Sequence, residues 1–423
     1  MDTGVPMTTI DHPARAALVD ELHARPFPTI SVPSTAWIVA LRPERRSDRD
    51  RKAERAQLDR LIEKACQTPP PPEATHWIGR LGPLTLKWEN HTEFVTFLVW
   101  GPEEKEVLRL AGDILEDAEG MRIASARFRI MQVDGDELVK EGLVAQHTAD
   151  SLAAARVIDD QAVVACDFRP DAAGDMHFSV FCRTGFGPGR TGRLIQRLCD
   201  IETYRAMAML GLIRTREMGA ELAQAEASLS AGVSRLNDGA SDAEETLQHL
   251  LDVAAQLERL VARASFRLSA TKAYERIVND RIASLREVRF HGRQTFGEFM
   301  SRRFDPAMRT VEATDRRLTG LTERARRAGE LLRTRVEVDR SRQNRELLAS
   351  MDRRSDEALR LQHTVEGLSV VAISYYAVGL VLYLVGPVQE VLPVGKPVLA
   401  AVVTPIVVLL TWAALRRIRS RLH

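Results

Sequence analysis

Residues 367–386, GLSVVAISYYAVGLVLYLVG, are apolar enough for a bilayer yet carry two serines and three tyrosines. Read back into the polar stretch before them, Gln362, Glu366, Ser369, Ile373, Tyr376, Leu380 and Tyr383 follow 4,3,4,3,4,3 spacing. On a helix that spacing gathers them on one face, so most of the polar groups form a stripe running into the apolar segment. Lipid offers such groups no hydrogen bonds, and the face is expected to meet protein or water. It can pack helix on helix in an oligomer, with Ala372 and Gly379 permitting close approach. Alternatively it lines a water-filled path, where a ring of Glu366 concentrates cations and rings of Tyr376 and Tyr383 set the constriction. Both uses need several copies of the chain, because two spans cannot enclose a pore.

Other spacings offer weaker chemistry. TGFGPGRTG, residues 184–192, follows a predicted strand and opens a helix, the setting of a phosphate-binding loop. It has Thr184 where that motif needs glycine and Arg190 where it needs lysine, so a strand-to-helix turn is expected, with amides that could hold an anion. Glu89, His91 and Glu93 alternate at period two and would present three ligands on one strand face if the chain ran straight. E-N-H-T-E is instead expected to contain the turn of a hairpin near Trp88. His23 with Glu21 and Arg25 reads as a helix end. Asp113, Glu116, Asp117 and Glu119, and Asp159 with Asp160, could bind a regulatory cation between subunits; a solvated charged face is the plainer reading. No Ser-His-Asp context, nucleophile elbow, H-E-x-x-H or paired-cysteine site emerges, and no enzymatic role is expected.

The elements that carry these residues change character along the chain. From residue 28 to about 182, apolar runs at 36–41, 94–100, 162–168 and 177–182 have strand length and β-branched or aromatic content. Helices are predicted between them at 48–66 and 103–118, and Pro69 to Pro72 force an extended connection. After residue 189 strand signals vanish. Residues 191–236 read as a helix broken by N-D-G, and Ser241 with Glu244 forms a capping box for the next. From there Leu247, Leu250, Ala254, Leu257, Val261, Ala264 and Leu268 recur at 3,4 spacing. Val278, Ile282 and Leu285 resume the pattern after an interruption at Thr271 and Glu275, which gives a coiled-coil-like seam. A third helix starts at Asp305 and Pro306 and meets no proline before Pro387, so about 80 residues would extend on the order of 120 Å at ~1.5 Å per residue.

Residues 368–385 and 397–415 carry no charge, and each approaches the ~20 residues needed to cross a hydrocarbon core. The link between them, 386–396, is short enough to make an antiparallel hairpin and contains Gln389 and Glu390. Arg416, Arg417, Arg419 and Arg421 follow the second segment, whereas the link has one lysine, so both chain ends are expected on the cytoplasmic side. The N-terminus has no apolar run and already carries Asp11, Asp20 and Glu21, unlike a secretory signal. Lys+Arg 59 against Asp+Glu 58 leaves a net charge of +1, which argues against a nucleic-acid partner. The four cysteines, Cys66, Cys166, Cys182 and Cys199, are widely spaced and read as small buried hydrophobes.

The fold expected is therefore α+β. A cytoplasmic α/β domain (1–188) precedes a long helical stalk (189–365), a two-helix transmembrane hairpin (366–415) and a basic tail (416–423). The segments HPARAALVDELHARPF (12–27), LGPLTLKWENHTEF (81–94), GRLIQRLCDIETYRAMAML (192–210) and the stretch 344–380 resemble the bacterial membrane-anchored family catalogued as domain of unknown function 3422. The layout is also similar to that of CorA-type divalent-cation channels, in which a long helix bundles as a homopentamer and lines the pore. That resemblance implies an oligomer, a pentamer, in a bacterial inner membrane, with no certain cofactor, a divalent cation as the candidate, and ligands for it unassigned. Glu366, Ser369, Tyr376 and Tyr383 would lie on the pore-lining helix. The Gly-Met-Asn signature of those channels is absent; Gly386, Pro387 and Val388 stand in its region. The function expected is ion transport. The alternatives are a membrane-tethered scaffold without transport activity, or an α/β domain that binds a nucleotide at residues 185–191.

Overall fold

The apolar run at 36–41 forms the middle of a strand buried on both faces, which is why it reads as unbroken rather than alternating. In the computed structural model, which describes residues 12–15, 19, 26–148, 150–238, 243–386 and 395–422, this is β1 (Ser34–Arg42). The other strands are β2 (His76–Leu81), β3 (Leu84–Asn90), β4 (Val95–Gly101), β5 (Met121–Gln132), β6 (Ala153–Val157), β7 (Ala162–Pro170), β8 (Met176–Cys182) and β9 (Val288–Arg289). They form one sheet in the order β2-β3-β4-β1-β5-β8-β7-β6-β9. β5 and β8 run parallel, and every other neighbouring pair is antiparallel.

Helices cover both faces. α1 (Arg51–Lys64), capped by Asp50, and α2 (Glu104–Glu116) bury Leu58, Ile62, Val107 and Ile114 against Trp37, Val39, Phe97 and Val99. Residues of opposite parity on β1 face the other way, where Ala40 joins Phe94, Ala124 and Met207 of α4 (Pro188–Asp238). α3 (Asp136–Gln146) closes the far end of the sheet through Val139 and Leu143 on Val163, Ala165 and Phe181. Each large side chain buried in this way contributes roughly 1.5–3 kcal/mol. Pro188 occupies the start of α4, where its missing N–H costs nothing. The carbonyl of Pro188 accepts from Ile30 N at 3.1 Å, and a Cβ on Gly192 would lie 1.6 Å from Pro28 O, so only glycine lets the strand leading into β1 lie on that turn.

The chain divides into two compact units, one of Met1–Ala240 with Gln248–Ala328, the other of Ser241–Leu247 with Gly329–His423. In the first unit the sheet is joined by α4, by most of α5 (Ala243–Leu285) and by the start of α7 (Asp305–Val385). Their buried residues recur mostly three and four positions apart: Ala208, Thr215, Met218, Leu222, Ala225 and Leu229; Leu250, Val253, Leu257, Leu260, Ala264 and Leu268; Met308, Val311, Leu318, Leu321, Ala325 and Ala328. Polar contacts tie the three helices pairwise: Arg263 to Glu221, Lys272 to Asp315 at 2.6 Å, and Arg317 to Glu226. A short helix, α6 (Phe296–Arg303), opens on a capping box at Thr295 and stacks Phe299 on Phe168 with ring centroids 4.1 Å apart.

Several expectations are corrected. Strand pairing does not end at residue 189, because β9 returns after α5 to extend the sheet beside β6. In the seam, Leu250, Leu257 and Ala264 are buried as expected, but Val253 and Leu260 take the places assigned to Ala254 and Val261. Thr271 is no interruption: it is buried, and its hydroxyl donates to Ala208 O at 3.3 Å where α5 crosses α4. Cys66 is exposed, unlike the other three cysteines, and all four are free thiols. The capping box assigned to Ser241 and the helix end around His23 lie outside the described residues.

Candidate functional site

The second unit carries the stripe. Residues 337–365 of α7 are exposed at every position, and the helix continues without a break into its apolar segment. That segment and Pro397–Ala414 of α8 (Lys396–Leu422) each reach a mean hydropathy of 2.1 over a membrane-length window. By length and composition, then, the structure holds two helices able to cross a membrane. Their surfaces are large and apolar, with Leu368, Val371, Leu384, Val402, Leu409 and Leu410 among the exposed residues. A water-facing surface of that size is unusual for a soluble monomer.

One face of α7 meets α8. Ser374 is 5 % exposed, and its hydroxyl shares a hydrogen bond with Thr411 Oγ1 at 2.9 Å. Thr411 also donates to Val407 O at 2.5 Å, one turn back. Val370, Ala377, Val378, Val381 and Val385 lie on the same side of α7 and are half-buried. The predicted stripe lies elsewhere. At ~100° per residue its centre is about 120° around the helix from Ser374. Ile373, Tyr376, Leu380 and Tyr383 are 46 %, 71 %, 65 % and 86 % exposed.

Toward the polar end, Gln362 Nε2 donates to Glu366 Oε1 at 3.1 Å, and His363 Nδ1 lies 3.8 Å from Glu366 Oε2. The Ser369 hydroxyl donates to Val365 O at 2.8 Å. Tyr375 and Tyr376 meet edge to face at 5.8 Å. At the other end of α8 the Arg416 guanidinium sits over the Trp412 ring, 5.1 Å from its centroid. Gln389 and Glu390, and the side chains of Arg419 and Arg421, lie outside what the structure describes.

In the first unit the possible ligands near Trp88 are dispersed. The turn falls within E-N-H-T-E, closed by His91 N donating to Phe94 O at 2.9 Å. Glu89 pairs with Lys87 at 3.1 Å, and His91 stacks on Phe94 at 4.4 Å. Glu93, buried, accepts from Tyr274 at 2.7 Å and pairs with Arg267. Asp113, Asp117, Asp159 and Asp160 each pair with an arginine. Among the described residues, no group of three or more His, Cys, Asp or Glu side chains could hold a metal ion.

Folding brings together one serine and histidine that the sequence did not single out. His147 Nε2 lies 2.8 Å from Ser179 Oγ, with Asp167 accepting from Thr148 N at 3.0 Å. The Ser179 hydroxyl donates to Gln146 Oε1 at 2.8 Å, so its proton is turned toward Gln146 and not toward His147. Ser179 is also 1 % exposed, and His147 Nδ1 has no hydrogen-bond partner among the described residues. The arrangement lacks both substrate access and an oriented base, the geometry a nucleophilic serine requires. In TGFGPGRTG, Gly185 takes φ +86°, and the amides of Arg190 and Thr191 both donate to Gly187 O, so the turn uses its own donors internally.

A family model described as "Protein of unknown function (DUF3422)" matches residues 10–422. No curated protein and no solved structure matches the chain.

Proposed function

The chain belongs to the DUF3422 family, and from that premise we propose that it is a membrane-anchored protein that assembles from several copies, the polar stripe of α7 lining a path for cations. One observation carries the reading. Ser369, Tyr376 and Tyr383 lie on a side of α7 that α8 leaves open, and polar side chains in a membrane helix favour protein or water over lipid. In this reading the two spans, joined by the short link at 386–396, form a hairpin, and the basic residues Arg416 and Arg417 beyond the second favour both chain ends on the cytoplasmic side of a bacterial inner membrane. With the pentameric layout of the CorA-type channels it resembles, five copies of Glu366 would ring the cytoplasmic mouth and attract divalent cations.

A second reading has support of its own. The Ser369 hydroxyl is satisfied within its helix, and Ile373 and Leu380 share the stripe, a composition suited to dry helix–helix contact. In that case the spans anchor and join the copies, and the first unit serves as a scaffold. Flux of divalent cations into liposomes separates the two. A path predicts flux above that of empty vesicles, reduced severalfold or more by Glu366→Gln and altered by Tyr376→Ala. Flux no different from empty vesicles, with the protein inserted and oligomeric, favours the scaffold.

A further inference from the structure

The first turns of α4 carry Arg190, Arg193 and Arg197 at i, i+3 and i+7, which stacks three guanidinium groups along one face. A fourth, Arg286, comes directly after α5 ends at Leu285. Together with Ile158, Asp159 and Gln161 of the β6–β7 turn they line a cavity of about 280 Å³. Asp159 is the one carboxylate in that lining, and it is already paired with Arg286 at 2.7 Å. The neighbouring Arg281 is likewise occupied by Asp200 at 2.7 Å. The side chains of Arg190, Arg193 and Arg197 have no ion pair or hydrogen bond among the described residues. Burial, followed by the charges of Arg281, Arg193 and Arg286, holds the Arg197 guanidinium below its ordinary pKa, so the cluster repels itself.

The wall facing the arginines is strained. Ile158, Asp159 and Asp160 adopt φ of 53°, 58° and 62° in succession, a conformation that glycine tolerates and a β-branched residue resists. Ile158 N donates to Leu285 O at 2.9 Å, which ties this turn to the end of α5 and holds Asp159 and Gln161 at the rim. Such strain persists where the surroundings enforce it, and it concentrates at binding sites.

We propose that this cavity binds a small phosphate-bearing anion through Arg190, Arg193, Arg197 and Arg286. Planar guanidinium forks match phosphate oxygens two at a time, and the positive end of the 51-residue helix α4 reinforces them. A free phosphate ester and a phospholipid headgroup present the same chemistry, so the test uses a probe for each. The full chain in neutral detergent is titrated at low salt with inorganic pyrophosphate and, separately, with a short-chain water-soluble phosphatidylglycerol.

Saturable binding of at least one probe is expected, weakened about tenfold or more in Arg190→Gln/Arg193→Gln. Both of those side chains are exposed, so the double variant should keep its fold, and an unchanged melting curve checks this. Arg197→Gln should weaken binding as well. Variant-sensitive binding of pyrophosphate alone assigns the site to soluble phosphate compounds; tighter variant-sensitive binding of the lipid assigns it to a headgroup. The proposal is overturned if neither probe saturates, or if the folded variants bind both as tightly as the parent chain.

Discussion

Arg49 holds the turn at 90–94 in place. Its guanidinium donates to both carboxylate oxygens of Glu54 at 2.8 Å, to Asn90 Oδ1 at 2.8 Å, and to the carbonyls of His91 at 2.7 Å and Phe94 at 3.2 Å. Both partners of the ion pair are buried, 5 % and 2 % exposed in their side chains, so removing one leaves a charge without compensation. Arg49→Met should destabilise the chain by about 3–5 kcal/mol in urea unfolding, and Arg49→Met/Glu54→Leu should recover part of that loss. Equal destabilisation by the single and double variants would show that the pair is not the source. His147 gives a pH signature. Burial lowers its pKa, with Asp167 opposing and His177 adding to the shift. The unfolded chain therefore takes up the proton first. The contribution of His147 is complete above about pH 6.5 and is lost as pH falls through the folded-state value. Between about pH 7.5 and about pH 5.5 the melting midpoint should fall, and fall less in His147→Gln.

At the scale of elements, the close crossing of α4 and α5 rests on Gly211, where a Cβ would lie 2.3 Å from Thr271 Oγ1. Gly211→Ala should cost about 1–3 kcal/mol through overpacking. Gly219, on the same helix with nothing within 4 Å of an added Cβ, should instead gain up to about 1 kcal/mol as alanine, because the helix propensity then acts alone. Denaturation of the two variants side by side checks the contrast; loss of stability in both would disprove it. Legibility of the fold follows the same physics. β1, β4, β7 and β8 are buried on both faces over most of their length and announce themselves as apolar runs, and the third helix is legible because nothing in 305–385 after Pro306 can break it. β5 was hidden by Arg122, Arg127 and Arg129 alternating with its buried residues, and β6 by a run of alanines with little strand preference. β9 spans two residues and exists only through its pairing with β6. The seam on α5 was displaced by one residue at Val253 and Leu260 because adjacent helical positions differ by only ~100°, and apolar spacing alone does not choose between them. The stripe on α7 is a reading from spacing alone, possible because it lies within one helix. The arginine cavity was not readable, because Arg286 reaches Arg190, Arg193 and Arg197 only through the fold.

For the molecule as a whole, the deciding question is what covers α7 beyond residue 336. Beyond the ion pair of Arg340 with Glu244 at 2.7 Å, Leu347, Leu348, Met351, Leu361 and Val365 are all more than half exposed along a stretch where no other element of the described chain packs. Ion pairs such as Arg333–Glu337 at 3.4 Å and Arg342–Glu346 at 3.3 Å add only a few tenths of a kcal/mol each. Helices of this kind draw most of their stability from packing, so the proposed assembly predicts that copies of the chain cover this stretch. The same reasoning applies further along, where Ser369 lies on the stripe and Leu368, its neighbour at nearly the same depth, points about 100° away. In membranes carrying Cys66→Ser, which removes the exposed native thiol, Ser369→Cys should cross-link into dimers on mild oxidation while Leu368→Cys stays monomeric. Tyr376→Cys, two turns on along the stripe, should behave like Ser369→Cys. Cross-linking at 368 in preference to 369 and 376 would turn the helix the wrong way for either use of the stripe. A chain that remains monomeric at all three positions, and that sediments as a single copy in detergent, would leave the polar face of α7 to be met by something other than itself.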